Sequence, residues 1–211
     1  MTEPMHHIPE NLLADYANGR IDAPFAMAIA CHISLCDDCR ALLQAHQSLG
    51  GVLLDDLPEA PISRATEIAV MAALDAAVKP PAPMLRQGIY PGPLSQYLTP
   101  RGPKWRALGG GVKQAILSEG REGSLRLLHI PAGQAVPEHS HGGLEMTLVL
   151  QGGFSDLTGR FGVGDLEVTD EDIDHTPTAW LGEPCICLAA TNAPLRFRGL
   201  VPRLLQPLFR I

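Results

Sequence analysis

Two textures of hydrophobic and polar residues follow one another along the chain. Up to about residue 79, apolar positions recur at three and four residues, the period of helices with one buried face. Leu12, Leu13, Tyr16 and Ala17 form the first stripe, opened by Pro9-Glu10-Asn11 and stopped by Asn18-Gly19. A second helix is expected from Asp22, which can cap it, with Pro24 in the first turn and Phe25, Ile29 and Ile33 along one side. Asp37-Asp38 opens a third, carrying Leu42, Leu43, Leu49 and Leu53. A proline-containing spacer, Asp55 to Pro61, leads to a fourth, capped by Ser63, with Ile68, Met71, Leu74 and Val78 on one stripe. From Trp105 the pattern changes to short alternating runs separated by glycines: 115–117, 125–128, 145–150, 164–168, 185–189 and 195–197. Short strands at regular spacing predict an antiparallel sandwich or barrel. Gly152-Gly153, between Leu148-Val149-Leu150 and Phe154, marks a hairpin.

Between the two textures, Pro80, Pro81, Pro83, Pro91, Pro93, Pro100 and Pro103 are too frequent for helix or interior strand. They predict an extended, semi-rigid tether. The expected organisation is therefore a helical domain at 1–79, a linker at 80–104 and a β domain at 105–211. A hydrophobic content of 45% supports packed cores. Charge sharpens the division. Residues 1–80 hold four Lys or Arg against eleven Asp or Glu, and the rest is balanced, so the whole net charge of −7 sits on the helical part. Such a module is repelled by nucleic acid and attracted to a basic protein surface. The chain carries no apolar run long enough to span a membrane and no basic-then-apolar leader. Five cysteines are an odd set, which fits a reducing compartment better than a disulfide framework. A cytoplasmic protein is expected.

The densest chemistry lies in His32-Ile33-Ser34-Leu35-Cys36-Asp37-Asp38-Cys39. Offsets of zero, four and seven turn one imidazole and two thiols towards one point, provided the helix runs through or breaks just after Cys36. That is three ligands of a tetrahedral zinc site. A fourth must come from elsewhere, and apart from Cys31 the only His or Cys upstream are His6 and His7. The competing reading is a redox dithiol, or two buried cysteines beside a surface histidine. A helix N-terminus at Cys36 and Cys39 would favour thiolates.

A second constellation lies in the β half: Gly133-x5-His139-x-His141-x3-Glu145-x6-Gly152. His139 and His141 alternate on a strand and share a face, Glu145 enters the next strand, and His175 follows some thirty residues on. Three histidines and a carboxylate inside a barrel suit Zn, Mn, Fe or Ni. Cys185 and Cys187 share one strand face and are candidate redox residues, with core filling as the alternative.

The first of these β motifs matches the first motif of the cupin superfamily in every spaced position. The second is looser: Gly164-x5-Asp170-x-Asp172-x2-His175-x3-Ala179 keeps the glycine and histidine but has Asp170, Asp172 and Ala179 where proline, glycine and asparagine are usual. An acidic helical zinc module followed by a cupin resembles the ChrR-type zinc anti-sigma factors. The resemblance runs nearly end to end, through His6-His7, the His-x3-Cys-x2-Cys motif, the cupin signature, the stretch Cys185 to Thr191 and the closing Pro202 to Pro207. It implies a bundle of about four zinc-stabilised helices before a cupin jelly roll. It also implies a non-enzymatic negative regulator that binds an extracytoplasmic-function type sigma factor one-to-one, withholds it from RNA polymerase and releases it on a stress signal such as singlet oxygen. Carried over by motif, the first zinc falls to His7, His32, Cys36 and Cys39, and the cupin metal to His139, His141, Glu145 and His175. The choice of His7 over His6 rests on the family alone. The rival reading is a metal-dependent cupin dioxygenase or isomerase acting on a small molecule, since the same ligand set leaves a position open for substrate. Direct DNA binding is disfavoured by the acidic helical half and the lack of a basic recognition helix.

Overall fold

The computed structural model describes residues 3–74, 83–171 and 173–197, apart from the side chains of residues 141 and 195–197. Four helices come first: α1 (Glu10–Ala17), α2 (Ala23–Ile33), α3 (Asp37–Asp55) and α4 (Arg64–Leu74). Their starts follow local chemistry. The amides of Leu12 and Leu13 reach the Pro9 carbonyl, and Ser63 Oγ accepts from the Thr66 amide at 3.0 Å, the cap expected of it. Asp22 stands at the start of α2 in extended geometry, but its side chain makes no capping hydrogen bond. The first amide of α2, that of Ala23, instead lies 3.4 Å from Glu122 Oε2. Val78, expected on the fourth stripe, lies outside the described residues.

Eleven strands follow among the described residues: β1 (Arg106–Gly109), β2 (Val112–Gly120), β3 (Gly123–Ile130), β4 (His139–His141), β5 (Glu145–Gln151), β6 (Gly153–Ser155), β7 (Arg160–Gly162), β8 (Leu166–Thr169), β9 (Thr178–Ala179), β10 (Cys185–Thr191) and β11 (Leu195–Phe197). A six-stranded antiparallel sheet has the order β1-β2-β3-β10-β5-β8, and a three-stranded sheet β7-β6-β9 and a β4-β11 pair complete the other wall. The result is the double-walled antiparallel arrangement of a jelly roll.

Gly152-Gly153 does not make a hairpin. β5 pairs with β10 and β8, whereas β6 pairs with β7 and β9, so this glycine pair carries the chain across from one sheet to the other. Gly152 has φ +64°, and a Cβ on it would lie 2.7 Å from the Pro184 carbonyl oxygen. Only glycine turns so sharply so close to another backbone.

The large sheet is buried on both faces. On β3, β5 and β10 one set of alternate residues, including Leu125, Leu127, Met146, Leu148, Leu188 and Ala190, belongs to a single core with Phe25, Ala28 and Ile29 of α2 and Leu13 of α1. The other set, including Arg126, Leu128, Glu145, Thr147, Cys187 and Ala189, lines a cavity of about 560 Å³ inside the barrel. Each fully buried aliphatic or aromatic side chain stabilises the helix-to-sheet packing by roughly 1.5–3 kcal/mol. The proline-rich stretch departs from an extended tether as well. A 3-10 helix occupies Gly92–Tyr97, and Leu94 within it is fully buried in that same core.

Burial runs out along the helices. Only Cys39 is buried on α3, no residue is buried on α4, and Leu49, Leu53, Ile68, Met71 and Leu74 all face outward. No helix among the described residues is long and apolar enough to cross a membrane.

Candidate metal centres

The break between α2 and α3 shapes the first site. Helix α2 ends at Ile33, and the amide of Cys36 still reaches the His32 carbonyl. Cys36 then takes an extended conformation as the cap of α3, where its Sγ accepts from the Cys39 amide at 3.5 Å. His32, Cys36 and Cys39 thus face one point. From the N-terminal segment His7 completes the group, with Nδ1 at 3.3 Å from Cys36 Sγ and 3.7 Å from Cys39 Sγ, and ligand atoms of all four lie within 4.8 Å of one another. His6 points elsewhere: its ring packs on Phe161 and its Nδ1 lies 3.4 Å from Asp165 Oδ2. Cys31 faces the shared core and stays out of the group.

The chemistry of this cluster fits a metal ion. His32 donates through Nδ1 to the Gly164 carbonyl at 2.9 Å, while its Nε2 is buried with no hydrogen-bond partner. Burial pushes the His32 imidazole down to about 4, although the Gly164 hydrogen bond works upward, so the ring is neutral and its Nε2 lone pair is available. The Cys39 thiol departs from expectation. Cys39 is pushed up to about 11, first by burial and also by the neighbouring Cys36, against a hydrogen bond from the Ile8 backbone. At Cys39 desolvation outweighs the helix N-terminus, and a cation held between the sulfurs would favour the thiolate there.

The second site lies in the barrel cavity. His139, at the start of β4, and His175 form a backbone bridge, and their Nε2 atoms lie 3.2 Å apart. His139 Nδ1 faces the Pro137 carbonyl at 2.9 Å, and His175 Nδ1 faces Asp156 Oδ2 at 2.6 Å. With both Nδ1 atoms donating, two neutral rings would set lone pair against lone pair, so a proton or a metal cation is required between them. Glu145 lines the same cavity and accepts from Thr147 Oγ1 at 2.9 Å. His141 contributes backbone to β4, and its side chain lies outside the described residues.

Two buried carboxylates that the spacing did not single out stand behind His175. Asp156 accepts from the Thr158 amide at 2.8 Å; the Thr158 hydroxyl lies 2.7 Å from both Asp156 Oδ1 and Glu167 Oε1, so its single proton serves one of the two, and Glu167 Oε1 lies 3.8 Å from His175 Nδ1. Burial pushes Glu167 up to about 8, with Asp156 adding to the rise. Asp156 is held below its usual value: burial raises it, and hydrogen bonds from Thr158 and His175 outweigh burial. Asp156 and Glu167 belong to different strands and loops, so no spacing rule could have joined them. Of the looser motif, Gly164 sits at the β7–β8 corner and Asp172 lies outside the described residues. Cys185 and Cys187 are both buried, and Cys187 reaches the cavity wall.

With this geometry in place, the likenesses to known proteins are informative. A family model described as the ChrR cupin-like domain matches residues 95–194. The anti-sigma-E factor ChrR of Cereibacter sphaeroides is 50% identical over 209 residues, covering 98% of this chain and 98% of that protein. The crystal structure of Rhodobacter sphaeroides SigE in complex with the anti-sigma ChrR matches with a TM-score of 0.78 and 46% identity, over 88% of this chain and 98% of that chain. A cupin protein from Ralstonia eutropha is 19% identical with a TM-score of 0.44, over 49% of this chain and 72% of that one. Shared sequence at this level, running through helices and barrel alike, means that the chain belongs to the ChrR family of anti-sigma factors.

Proposed function

We propose that this protein is a non-enzymatic regulator that holds an extracytoplasmic-function type sigma factor one-to-one, keeps it from RNA polymerase and releases it on a stress signal received by the barrel. The observation that carries the reading is the unburied apolar surface of the helical module. On α4, Ile68, Val70, Met71 and Leu74 are 53 to 72% exposed, and Leu49, Val52, Leu53 and Leu54 of α3 are 59 to 67% exposed. A monomer rarely leaves so many large side chains in water unless a partner covers them. The partner in the related crystal structure is a sigma factor. Eleven acids in this part of the chain steer a basic partner towards it.

In this reading zinc at His7, His32, Cys36 and Cys39 fastens the N-terminal segment to α2 and α3, and so holds the base of α3 in a fixed direction. A second ion at His139, His141, Glu145 and His175 belongs to the signal-receiving barrel, where Zn, Mn, Fe and Ni all suit the donors. Cys185 and Cys187 are candidate oxidation points beside it. The division into a sigma-binding part at 1–79, a connector at 80–104 and a sensing part at 105–211 is part of the proposal, as is a cytoplasmic location beside the polymerase. Nearly full-length likeness to an anti-sigma factor supports this over a dioxygenase or isomerase.

The test is to express the full chain with candidate sigma factors, isolate the complex and count metal per chain. The expected outcome is a one-to-one complex with two ions per chain and repression of a sigma-dependent promoter. Repression unchanged in His32→Ala or Cys36→Ala at equal protein level would remove the zinc from the mechanism. An unchanged stress response after replacing Cys185 and Cys187 with serine would remove the thiols.

A further inference from the structure

The metal cluster of the helices is not built by the helices alone. The N-terminal segment that delivers His7 lies on the β7–β8 corner of the barrel. Asp165 Oδ1 accepts the amides of Met5 at 2.6 Å and His6 at 2.9 Å, and its Oδ2 accepts the Gly162 amide at 2.7 Å. The next residue, Leu166, donates its amide to the His6 carbonyl at 3.2 Å. The residue before, Gly164, accepts from His32 Nδ1 at 2.9 Å. Gly164 has φ +94°, and a Cβ there would lie 2.8 Å from Pro4 Cγ, so the segment is seated directly on the corner. Three consecutive barrel residues therefore orient two of the four candidate ligands of the other site. Glu167 follows at once on β8, with its carboxylate 3.8 Å from His175.

We propose that Asp165 is a positioning residue for the helical metal site, and that the Gly164-Asp165-Leu166 corner ties that site mechanically to the histidine pair of the barrel. Asp165 is not one of the four candidate ligands. It acts by clamping the backbone of Met5 and His6, which sets where the His7 ring can reach, while the adjoining carbonyl sets the rotation of His32. A group that orients a ligand from behind tunes affinity by about 10–100-fold in metal sites. β8 is hydrogen-bonded to β5 from Leu166 to Thr169, so a shift around His175 and Glu167 is passed to the corner rather than absorbed in a loop. The proposal rests on the reading that His7, His32, Cys36 and Cys39 hold a metal, and the experiment separates the two.

The full-length protein is loaded with cobalt(II), whose thiolate charge-transfer absorption reports the helical site, since the candidate barrel ligands include no sulfur. Decay of that absorption on adding EDTA is followed in the unaltered protein and in Asp165→Ala, Asp165→Asn, His175→Ala and the Asp165→Ala/His175→Ala double variant. Amide hydrogen exchange at Met5 and His6 is measured on the same samples. Decay about tenfold faster in Asp165→Ala is expected, with Asp165→Asn intermediate because it keeps one acceptor oxygen. His175→Ala alone should also speed decay, and should add nothing once Asp165 is alanine. Unchanged decay in both Asp165 variants, or a His175 effect of equal size in both backgrounds, overturns the coupling. Should Asp165→Ala fail to fold, Asp165→Asn with and without His175→Ala carries the same comparison. Absence of the thiolate absorption from the unaltered protein would overturn the metal reading itself, and this proposal with it.

Discussion

The imidazole of His32 joins two parts of the molecule: its Nδ1 donates to the Gly164 carbonyl of the barrel at 2.9 Å, and its Nε2 is turned, buried and unpartnered, to the cysteines. His32→Ala therefore removes a candidate ligand and also strands a carbonyl. An unpaired buried acceptor costs about 1–3 kcal/mol. The variant should melt several degrees below the parent and lose repression, read by calorimetry and by a sigma-dependent reporter.

Chelation should act locally first. Without an ion, His7 meets α3 through the Cys36 and Cys39 sulfurs, 3.3 and 3.7 Å from its Nδ1. Cys36 and Cys39, buried while the cluster is closed, should become open to alkylation, and Cys31, fully buried in the shared core, should stay protected. Mass spectrometry of peptides after iodoacetamide treatment checks this. Equal labelling of all three would show that the whole helical module had unfolded.

The apolar faces of α3 and α4 should matter for binding and hardly at all for folding. Leu53 and Met71 are 61% and 59% exposed. Leu53→Asp with Met71→Asp should weaken sigma binding by a hundredfold or more, the scale of about 2–4 kcal/mol for a hot spot, and leave the melting temperature within about two degrees. Leu13→Ala is the contrasting control. That residue is fully buried, and its truncation should cost about 2–5 kcal/mol of stability.

Behind the barrel histidines, Asp156 accepts from His175 Nδ1 at 2.6 Å and fixes which nitrogen faces the cavity. Asp156→Asn should lower metal affinity at the barrel site by about 10–100-fold without altering the cobalt–thiolate spectrum of the helical site. Isothermal titration with and without the substitution tests it.

Acid should open the clamp at Asp165. Burial works to raise this carboxyl, but hydrogen bonds from Gly162, His6 and Met5 outweigh it, and the group is held below the usual range. A depressed carboxylate stabilises the fold above its unfolded value of about 4, and that contribution is lost as pH falls through the folded value. The facing titratable group on the segment it clamps is His6, whose Nδ1 lies 3.4 Å from Asp165 Oδ2. Protection of the Met5 and His6 amides should hold down to about pH 4 and fall below it, and Asp165→Asn should flatten that profile.

Local chemistry was legible wherever neighbours in sequence are neighbours in space. The four helices, their order before the strands, the His32-Cys36-Cys39 triplet and the period-two strands all follow from side-chain spacing along one backbone. A helix or a strand imposes that spacing before any tertiary contact forms. Asp156 and Glu167 were invisible for the opposite reason, since they meet His175 only because β6 and β8 belong to facing walls of a closed sheet. The glycine pair at 152–153 shows the same limit, because a tight turn reads alike whether the chain doubles back or crosses to another sheet.

What the chain determines unaided is thus its periodicity, its charge imbalance and two clusters of ligand-type residues. Three matters were decided only in the tertiary structure. It turns His7 and not His6 to the cysteines. It buries α2 against the large sheet, and with it Leu94, from the stretch whose prolines predict an extended, semi-rigid tether. It seats the N-terminal segment on Gly164-Asp165-Leu166. These contacts join residues from 29 to 160 positions apart, and they depend on how twisted sheets and helices fill space together, which no local period encodes.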